Sequence, residues 1–543
     1  MAEPDDWNLA DVWETIADTV GDAPALLHGD RRVTWSEFDD HAARLATVLT
    51  DAGIGADSKV ALYLHNCPQY LEATFAAFKC RAIPVNVNYR YTESELVHLL
   101  ENSDAEAVVV GNEFVEHLDA VAARLPKLRL VLPVDPDDDG SSDPWLSAPP
   151  APRIARQLDD LWFLYTGGTT GMPKGVMWPH RSLLGTAAVS FKGFGLGIPT
   201  SLDDVAAAAR HIHRSAEPVR LLPAAPLMHG TSAISSWGTL CTAGSLVTLT
   251  SRSLDADELL RAVEDQRVSN LTIVGDAFAK PIIAALEAAE ERGTPYDLSS
   301  LKLIVSSGVM WSEPVKEALL CRADVVLADL LGSSEGVGFA NSVAKRGRPA
   351  PTARFRLGPD ATVLADDGEQ VVAGSGEIGM LAVGGPIPIG YYKDPVKSAE
   401  TFRRVGTRTW SIPGDFATIE ADGTITLLGR GSVCINTAGE KVFPEEVEET
   451  LKLHPAVHDA NVVGVPDERW GQAVVAVVGF EPGQPVVEDS ALIAHCRETL
   501  AGYKCPKRIV VVDRIRRGPN GKADYRWAAS VAAPVGAPGP TRN

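Results

Sequence analysis

Tyr165-Thr-Gly-Gly-Thr-Thr-Gly-Met-Pro-Lys-Gly-Val176 sets four glycines and three threonines between two apolar runs. Leu161-Trp-Phe-Leu-Tyr165 before it and Val176-Met-Trp178 after it have strand composition, which predicts a hairpin with this loop at its tip. Gly167, Gly168, Gly171 and Gly175 let the backbone turn its N–H groups inward, and Thr166, Thr169 and Thr170 add hydroxyl donors. Lys174 supplies positive charge, so the stretch has the chemistry of a phosphate cradle. It is not the usual P-loop, because the order Gly-Lys-Ser/Thr is missing and no helix follows directly. The plainer alternative is a flexible Gly/Thr hairpin.

Composition narrows what such a loop can serve. The 543 residues are 45% hydrophobic and include 37 prolines, as in a multidomain globular α/β protein with many short connections. A net charge of −21 argues against sequence-independent nucleic-acid binding, which depends on clustered Lys and Arg. Any phosphorylated ligand therefore has to be held by local donors and a metal ion. The seven cysteines are scattered singly, which predicts reduced thiols and no zinc site. The acidic start Met1-Ala-Glu-Pro-Asp-Asp-Trp7 lacks the features of a signal peptide, and no apolar run approaches the ~18 residues of a membrane span. The expectation is a cytoplasmic protein, with peripheral access to lipid left open.

Outward from the loop, strand and helix patterns alternate. Lys59–Leu64 reads as a buried strand, Pro68–Lys79 as a helix and Ala82–Val87 as a strand, and Thr92-Glu-Ser-Glu95 opens the next helix as a capping box. This βαβ rhythm predicts doubly wound sheets. Residues 134–152, rich in Asp, Pro and Ser, read as a solvated loop. His180–Phe191 reads as a helix and 192–220 as a less regular insertion. From about 352 to 428, short alternating strands with Gly and Asp-Gly turns predict a small antiparallel barrel. Past Gly429-Arg430 the pattern is that of a small α+β domain, with a tail from Ala528 expected to be disordered.

Further stretches recur in a telling order: Pro226-Leu-Met-His-Gly230, Leu331-Gly-Ser-Ser-Glu335, Gly390-Tyr-Tyr-Lys-Asp-Pro395, Gly414-Asp415, Gly429-Arg430, Gly439-Glu-Lys-Val-Phe-Pro-Glu445 and Pro519-Asn-Gly-Lys522. With the glycine loop, this series resembles the adenylate-forming superfamily, the acyl-CoA synthetases, from about residue 10 to 530. The resemblance implies an N-terminal domain over 1–431 and a mobile C-terminal domain over 432–543. It also implies ATP, Mg²⁺ and CoA as partners, with an acyl-adenylate formed first and a thiol attacking it second.

Site residues follow from the same resemblance. Thr166, Gly167, Gly168, Thr169, Thr170, Gly171 and Lys174 would hold ATP phosphates, with Thr166 also counted among the catalytic groups. Glu335, after a Gly-Ser-Ser turn at a strand end, would bind Mg²⁺. Ser307, Gly308, Gly332, Ser333 and Ser334 would line the adenine and phosphates. Leu331 stands where the family usually has an aromatic residue. Asp415 would take the ribose hydroxyls, assisted by Arg430. Lys522 would reach the α-phosphate during adenylation only. Ser432 occupies the hinge position, and Gly439, Glu440 and Lys441 would line the pantetheine channel.

His229 resembles the residue bordering the acyl pocket, for which Met228, Trp237, Asp276, Phe278, Val309 and Trp311 are the further candidates. The chain also resembles bacterial ligases that activate fatty acids and steroid side-chain carboxylates, which implies a medium- to long-chain or bulky alicyclic acid. Two other readings stay open: an acyl-AMP ligase loading a carrier protein, and a non-catalytic nucleotide- or lipid-binding homologue. The oligomeric state, a homodimer included, is not fixed by the sequence.

Overall fold

Local signals become elements where the sequence placed them. Pro68 sits in the first turn of the helix Pro68–Lys79, where its missing N–H costs nothing. Thr92 and Glu95 form a capping box on Glu93–Ser103. The computed structural model describes residues 7–138, 140–166, 172–215, 217–309, 311–348, 350–352, 354–430, 433–437, 440–467, 471–481, 483, 487–517 and 523–533, and the side chains of Arg430 and Lys441 lie outside that description. The chain divides into two compact units: residues 1–168, 172–362 and 382–412 form the larger, and 169–171, 363–381 and 413–543 the smaller.

The larger unit holds two sheets. One runs Arg31–Thr34, Pro24–His28, Ser245–Thr248, Arg220–Pro223, Asn270–Ile273, Leu303–Ser307, Val326–Ser333, Gly336–Ala344 and Arg354–Leu357 across its width. It is parallel from Pro24–His28 to Val326–Ser333 and antiparallel at both ends. The other has seven strands, in the order Gly390–Tyr391, Lys174–Pro179, Leu161–Thr166, Ile83–Asn86, Lys59–Tyr63, Ala105–Gly111 and Leu130–Val134. It is parallel from Leu161–Thr166 to Leu130–Val134, and the glycine-loop hairpin, itself an antiparallel pair, joins it through the parallel pairing of Leu161–Thr166 with Ile83–Asn86. These are the expected wound sheets with crossover helices. Trp13, Phe75, Trp162 and Trp237 pack within one buried core, Trp13 lying 5.2 Å from Phe75 and 5.7 Å from Trp237.

Four local expectations change. The insertion 192–220 contains the helix Leu202–Ser215, whose Val205, Ala208, Ala209 and Ile212 recur at helical spacing and are buried. The single helix expected over 180–191 is two, His180–Thr186 and Ala188–Gly193. The 134–152 stretch is not simply solvated, since Trp145 is fully buried in the core. The chain remains ordered past Ala528: Tyr525–Ala532 is a helix that buries Ala528 and Ala532 beside Val463, Val475 and Val477.

The smaller unit carries a five-stranded sheet, ordered Glu440–Val442, Ile435–Thr437, Gly471–Phe480 and Val457–Asp467, with Arg508–Val511 pairing parallel to Gly471–Phe480. The helices Pro444–Lys452 and Asp489–Thr499 cover it with Val447, Leu451, Leu492 and Cys496. The antiparallel hairpin of Asp415–Ile419 and Thr424–Arg430 also belongs here. Its Phe416 ring lies 5.6 Å from Phe443. Gly429 has φ +115°, and a Cβ there would lie 2.2 Å from a Glu445 carboxylate oxygen, so the hairpin can pass this helix only as glycine.

A buried polar cluster gives a pH test of the larger unit. The Asp143 side chain is 1% exposed, 3.8 Å from Arg31, with the Gln69 amide donating to it at 3.3 Å. Burial, then the Glu72 charge, pushes this carboxyl up to about 7, against the pull of Gln69, Arg31 and His41. His41 is raised too: burial would lower it, but its bond to Glu72 prevails. A raised folded value means that stability is fully present at low pH and is lost as pH rises through the folded pKa. Wild-type stability should therefore fall between about pH 5 and 8. Asp143→Asn should remove part of that slope and stabilise the protein at pH 8.5 by about 1–3 kcal/mol. Parallel denaturation curves of the two proteins at pH 5.5 and 8.5 would refute this origin.

Candidate active site

The functional candidates of the larger unit sit beyond the carboxyl ends of its parallel strands, where ligands of open α/β sheets bind. Ser307 ends the strand Leu303–Ser307, and Gly308 follows with φ +92°. Asp276 follows Asn270–Ile273, and His229 lies six residues beyond Pro223, the end of Arg220–Pro223. From the other sheet, Asn86 ends its strand and Asn66 follows Lys59–Tyr63.

The glycine-loop hairpin is built as the sequence implies. Thr166 and Lys174 face each other across Leu161–Thr166 and Lys174–Pro179. A Cβ on Gly175 would lie 2.6 Å from the Tyr165 ring, so this glycine serves close packing at the base of the hairpin. Lys174 Nζ binds Asp394 Oδ2 at 2.6 Å, and this bond holds the Asp394 carboxyl below the usual range. Gly390–Tyr391 pairs with Met177 and Val176 as an edge strand, bringing the Gly390–Pro395 stretch to the loop's flank. Gly167, Gly168, Thr169, Thr170 and Gly171 lie outside the described residues.

The Leu331–Glu335 stretch is a hairpin turn between Val326–Ser333 and Gly336–Ala344, with a register shift between Leu331 and Ser333. Three donors from other segments hold it. Trp178 Nε1 donates to the Ser334 carbonyl at 3.0 Å, Ser411 Oγ to the Glu335 carbonyl at 2.6 Å, and Tyr391 O–H to Glu335 Oε1 at 2.8 Å. Glu335 N–H donates to Ser333 Oγ at 3.2 Å. Glu335 is half-buried, and among the described residues its Oε2 accepts no hydrogen bond. Gly332 approaches Ser307, whose Oγ would lie 3.9 Å from an added Cβ. The structure thus gathers Ser307, Gly332, Ser333, Ser334 and Glu335 at adjacent strand ends.

The expected acyl-pocket residues are less unified. Met228 is buried, and His229 precedes the helix Gly230–Cys241. Trp237 packs in the aromatic core, 6.1 Å from Trp162. Trp311 and Phe278 belong to the second core cluster of this unit. Asp276 accepts from Ser312 N–H at 2.9 Å and from its hydroxyl at 2.7 Å, fixing Ser312 against the start of Gly275–Glu291. Asp276 therefore acts as a backbone anchor here.

In the smaller unit Asp415 lies opposite Arg430 across the hairpin, after Gly414 with φ +96°. Glu440 and Lys441 lie on the strand Glu440–Val442, paired with Ile435–Thr437. Ser432, Gly439 and Lys522 lie outside the described residues. Sequence reasoning passed over Asn66, Asn86, Trp178 and Ser411, and quoted Tyr391 without a role. The one available signal was asparagine at the end of a buried strand, where its propensity is poor.

Wound sheets that carry the hairpin of Leu161–Thr166 and Lys174–Pro179 and a braced carboxylate turn, in a chain that also holds a small α+β unit, have the architecture of an adenylate-forming enzyme. Residues 13–392 match the AMP-binding enzyme family and 446–522 its C-terminal domain. The chain belongs to the AMP-binding enzyme family. It is 41% identical over 540 residues to the medium/long-chain-fatty-acid–CoA/3-oxocholest-4-en-26-oate–CoA ligase of Mycolicibacterium smegmatis, with 96% of each chain covered. It is 40% identical to the 3-oxocholest-4-en-26-oate–CoA ligase of Rhodococcus rhodochrous, covering 96% of this chain and 95% of that one. The fold is shared with the anthranilate CoA ligase AuaEII solved with anthranoyl-AMP, at TM-score 0.81, 23% identity and coverage of 97% and 98%. ATP-bound MatB from Rhodopseudomonas palustris gives a TM-score of 0.79 at 23% identity, covering 96% of this chain and 99% of that one. Among the described residues no helix is long and apolar enough to cross a membrane.

Proposed function

We propose that this enzyme is an ATP-dependent acyl-CoA ligase for a medium- or long-chain or steroid side-chain carboxylic acid. The observation that carries the reading is the full-length similarity to two ligases named for such acids. A carboxylate oxygen of the acid attacks the α-phosphorus of ATP, the bond to pyrophosphate breaks, and acyl-AMP forms. The CoA thiol then attacks the acyl carbon, releasing AMP and the thiol proton.

Glu335 suits Mg²⁺, since one carboxylate oxygen is braced by Tyr391 and the other accepts nothing among the described residues. A lone carboxylate completed by phosphate oxygens and water is a common Mg²⁺ arrangement. When bound, the ion supplies charge neutralisation at the phosphates. The protein's own part is positional: Trp178, Ser411 and Tyr391 fix the turn, and Thr166 and Lys174 flank the loop opposite it in sequence. Asp415 and Arg430 are assigned to the ribose, Ser432 to the hinge of a domain spanning 432–543, and Gly439, Glu440 and Lys441 to the thiol channel. We place the enzyme in the cytoplasm, with the homodimer as the assembly to test.

AMP release measured with CoA across a panel of acids checks the proposal. Turnover should be highest with C8–C18 or steroid side-chain acids and low with acetate and benzoate. Acid-dependent AMP release without consumption of free CoA would point to a carrier-loading ligase. Absence of any acid dependence would overturn the enzymatic reading.

A further inference from the structure

Two asparagine side chains hold the Pro223–Met228 segment, and one of them, Asn86, also holds Tyr165 at the base of the glycine-loop hairpin. Asn86 is 2% exposed, and its amide is fully engaged. Its Oδ1 accepts from Tyr165 N–H at 2.6 Å, while Nδ2 donates to the carbonyls of Tyr165 at 2.9 Å and Met228 at 2.7 Å. Backbone pairing between Ile83–Asn86 and Leu161–Thr166 is recorded at Val85 and Phe163, and the Asn86 side chain continues that ladder toward the glycine loop. Asn66 does the corresponding work one step upstream. Its Oδ1 accepts from Leu227 N–H at 2.7 Å, and Nδ2 donates to the carbonyls of Pro223 and Ala225, each at 3.0 Å.

The segment between them explains why side chains are needed. Pro223 and Pro226 have no N–H, and Pro223–Met228 leaves its strand before forming any helix, so that while the Pro226 carbonyl accepts from His229 N–H at 3.0 Å, the carbonyls of 223, 225 and 228 take donors from elsewhere in the chain. The asparagines satisfy the carbonyls of residues 223, 225 and 228 and the N–H of 227. Both amides spend both donors on backbone carbonyls, and a flipped amide would set oxygen against oxygen. Each orientation is therefore fixed, and so is the placement of what each holds. Met228 leads directly into His229, and Tyr165 into Thr166.

We propose that Asn86 and Asn66 are positioning residues for adenylation. Asn86 sets Met228–His229 against the base of the phosphate loop, and Asn66 sets only the Met228–His229 side. The inference rests on the reading of His229 as the border of the acid pocket and of Thr166 as a phosphate contact. A carboxylate has to meet the α-phosphorus in line, and a misplacement of about 1 Å can cost about 10²-fold in rate. The clamp serves that one step, because thioester formation no longer requires the acid and the phosphate chain to be held together.

Asn86→Asp tests this nearly isosterically. It keeps the acceptor for Tyr165 N–H but turns an oxygen toward two carbonyls, and burial raises the pKa of such a carboxyl. Acid-dependent ATP–pyrophosphate exchange should fall about 100-fold at pH 8.5 and recover about 10-fold relative to wild type at pH 6.5, where a protonated carboxyl can donate again. Acyl-CoA formation from supplied acyl-AMP should stay within about threefold of wild type. Equal losses in the two half-reactions, or wild-type exchange, overturn the proposal. Where Asn86→Asp does not fold by circular dichroism, Asn66→Ala decides. Its KM for the acid should rise about 10-fold with the KM for ATP within about twofold, and parallel rises refute the clamp. A wild-type enzyme lacking acid-dependent exchange removes the proposed function and the clamp with it, whereas active wild type with unaltered variants removes the clamp alone.

Discussion

Glu335→Gln is expected to lower acyl-adenylate formation by about 10²-fold or more and to raise the Mg²⁺ concentration needed for half-maximal rate. The substitution is nearly isosteric, and the frame around it is independent of the charge. Trp178 and Ser411 hold the Ser334 and Glu335 carbonyls, and the Tyr391 hydroxyl can donate to an amide oxygen as it does to Oε1. What the glutamine loses is negative charge where an ion would face the ATP phosphates. Tyr391→Phe provides the graded companion: it leaves the charge but frees Oε1 to rotate, and should raise the Mg²⁺ concentration needed for half-maximal rate by a smaller factor, about 3–10-fold. Two readouts are suited to this, pyrophosphate exchange titrated with Mg²⁺ and binding of Mn²⁺·ATP followed by electron paramagnetic resonance. If Glu335→Gln kept wild-type Mn²⁺·ATP affinity and metal dependence, the metal-ligand role would be lost. If Tyr391→Phe had the same effect in the Glu335→Gln background as alone, the hydrogen bond would not act through the carboxylate.

Much of this arrangement was written in local sequence, and the exceptions have physical causes. The strand-helix-strand rhythm of 59–111 was legible because strand and helix periods differ and because Pro68 and Thr92 mark helix starts chemically. The two-sheet wound fold followed from that rhythm. The helix Leu202–Ser215 was missed although Val205, Ala208, Ala209 and Ile212 carry its period, since a run of alanines gives little contrast between faces. Tyr525–Ala532 was taken for a loose tail for a similar reason: Ala528 and Ala532 matter only because Val463, Val475 and Val477 lie against them, a tertiary fact. At the site, Glu335 and the loop hydroxyls were assigned through recurring stretches of sequence. Asn66, Asn86, Trp178 and Ser411 were not, because each acts on the backbone of a segment far away in the chain. Asn86 and Met228 are 142 residues apart, and no spacing rule joins them. Trp237, named for the acyl pocket, has tertiary neighbours that no local pattern announces, its ring lying 5.7 Å from Trp13 and 6.1 Å from Trp162.

Lys522→Ala is expected to reduce adenylation by about 10²–10³-fold while leaving acyl-CoA formation from supplied acyl-AMP within about threefold of wild type. The asymmetry follows from where charge develops. In the first step an anionic acid approaches an already anionic α-phosphate, and a flexible ammonium that arrives only then can stabilise the added charge without binding the ground state equally well. In the second step the thiol attacks the acyl carbon and charge passes to the departing AMP, but in this reading the lysine loop has by then withdrawn and other groups meet that charge. The described residues on either side of 518–522 are anchored independently. Arg517 and Ala523 pair as an antiparallel bridge on either side of 518–522, and Arg517 Nε donates to Asp459 at 2.9 Å on the strand Val457–Asp467. Circular dichroism and melting temperature of the variant, expected to match wild type, check that this anchor is kept. Measuring the half-reactions separately is essential, because the overall rate falls whichever step fails. Equal losses in both would show that Lys522 supports the site generally and would end its assignment to adenylation. Full retention of pyrophosphate exchange would show that the α-phosphate charge is met by Lys174 or Arg430 instead.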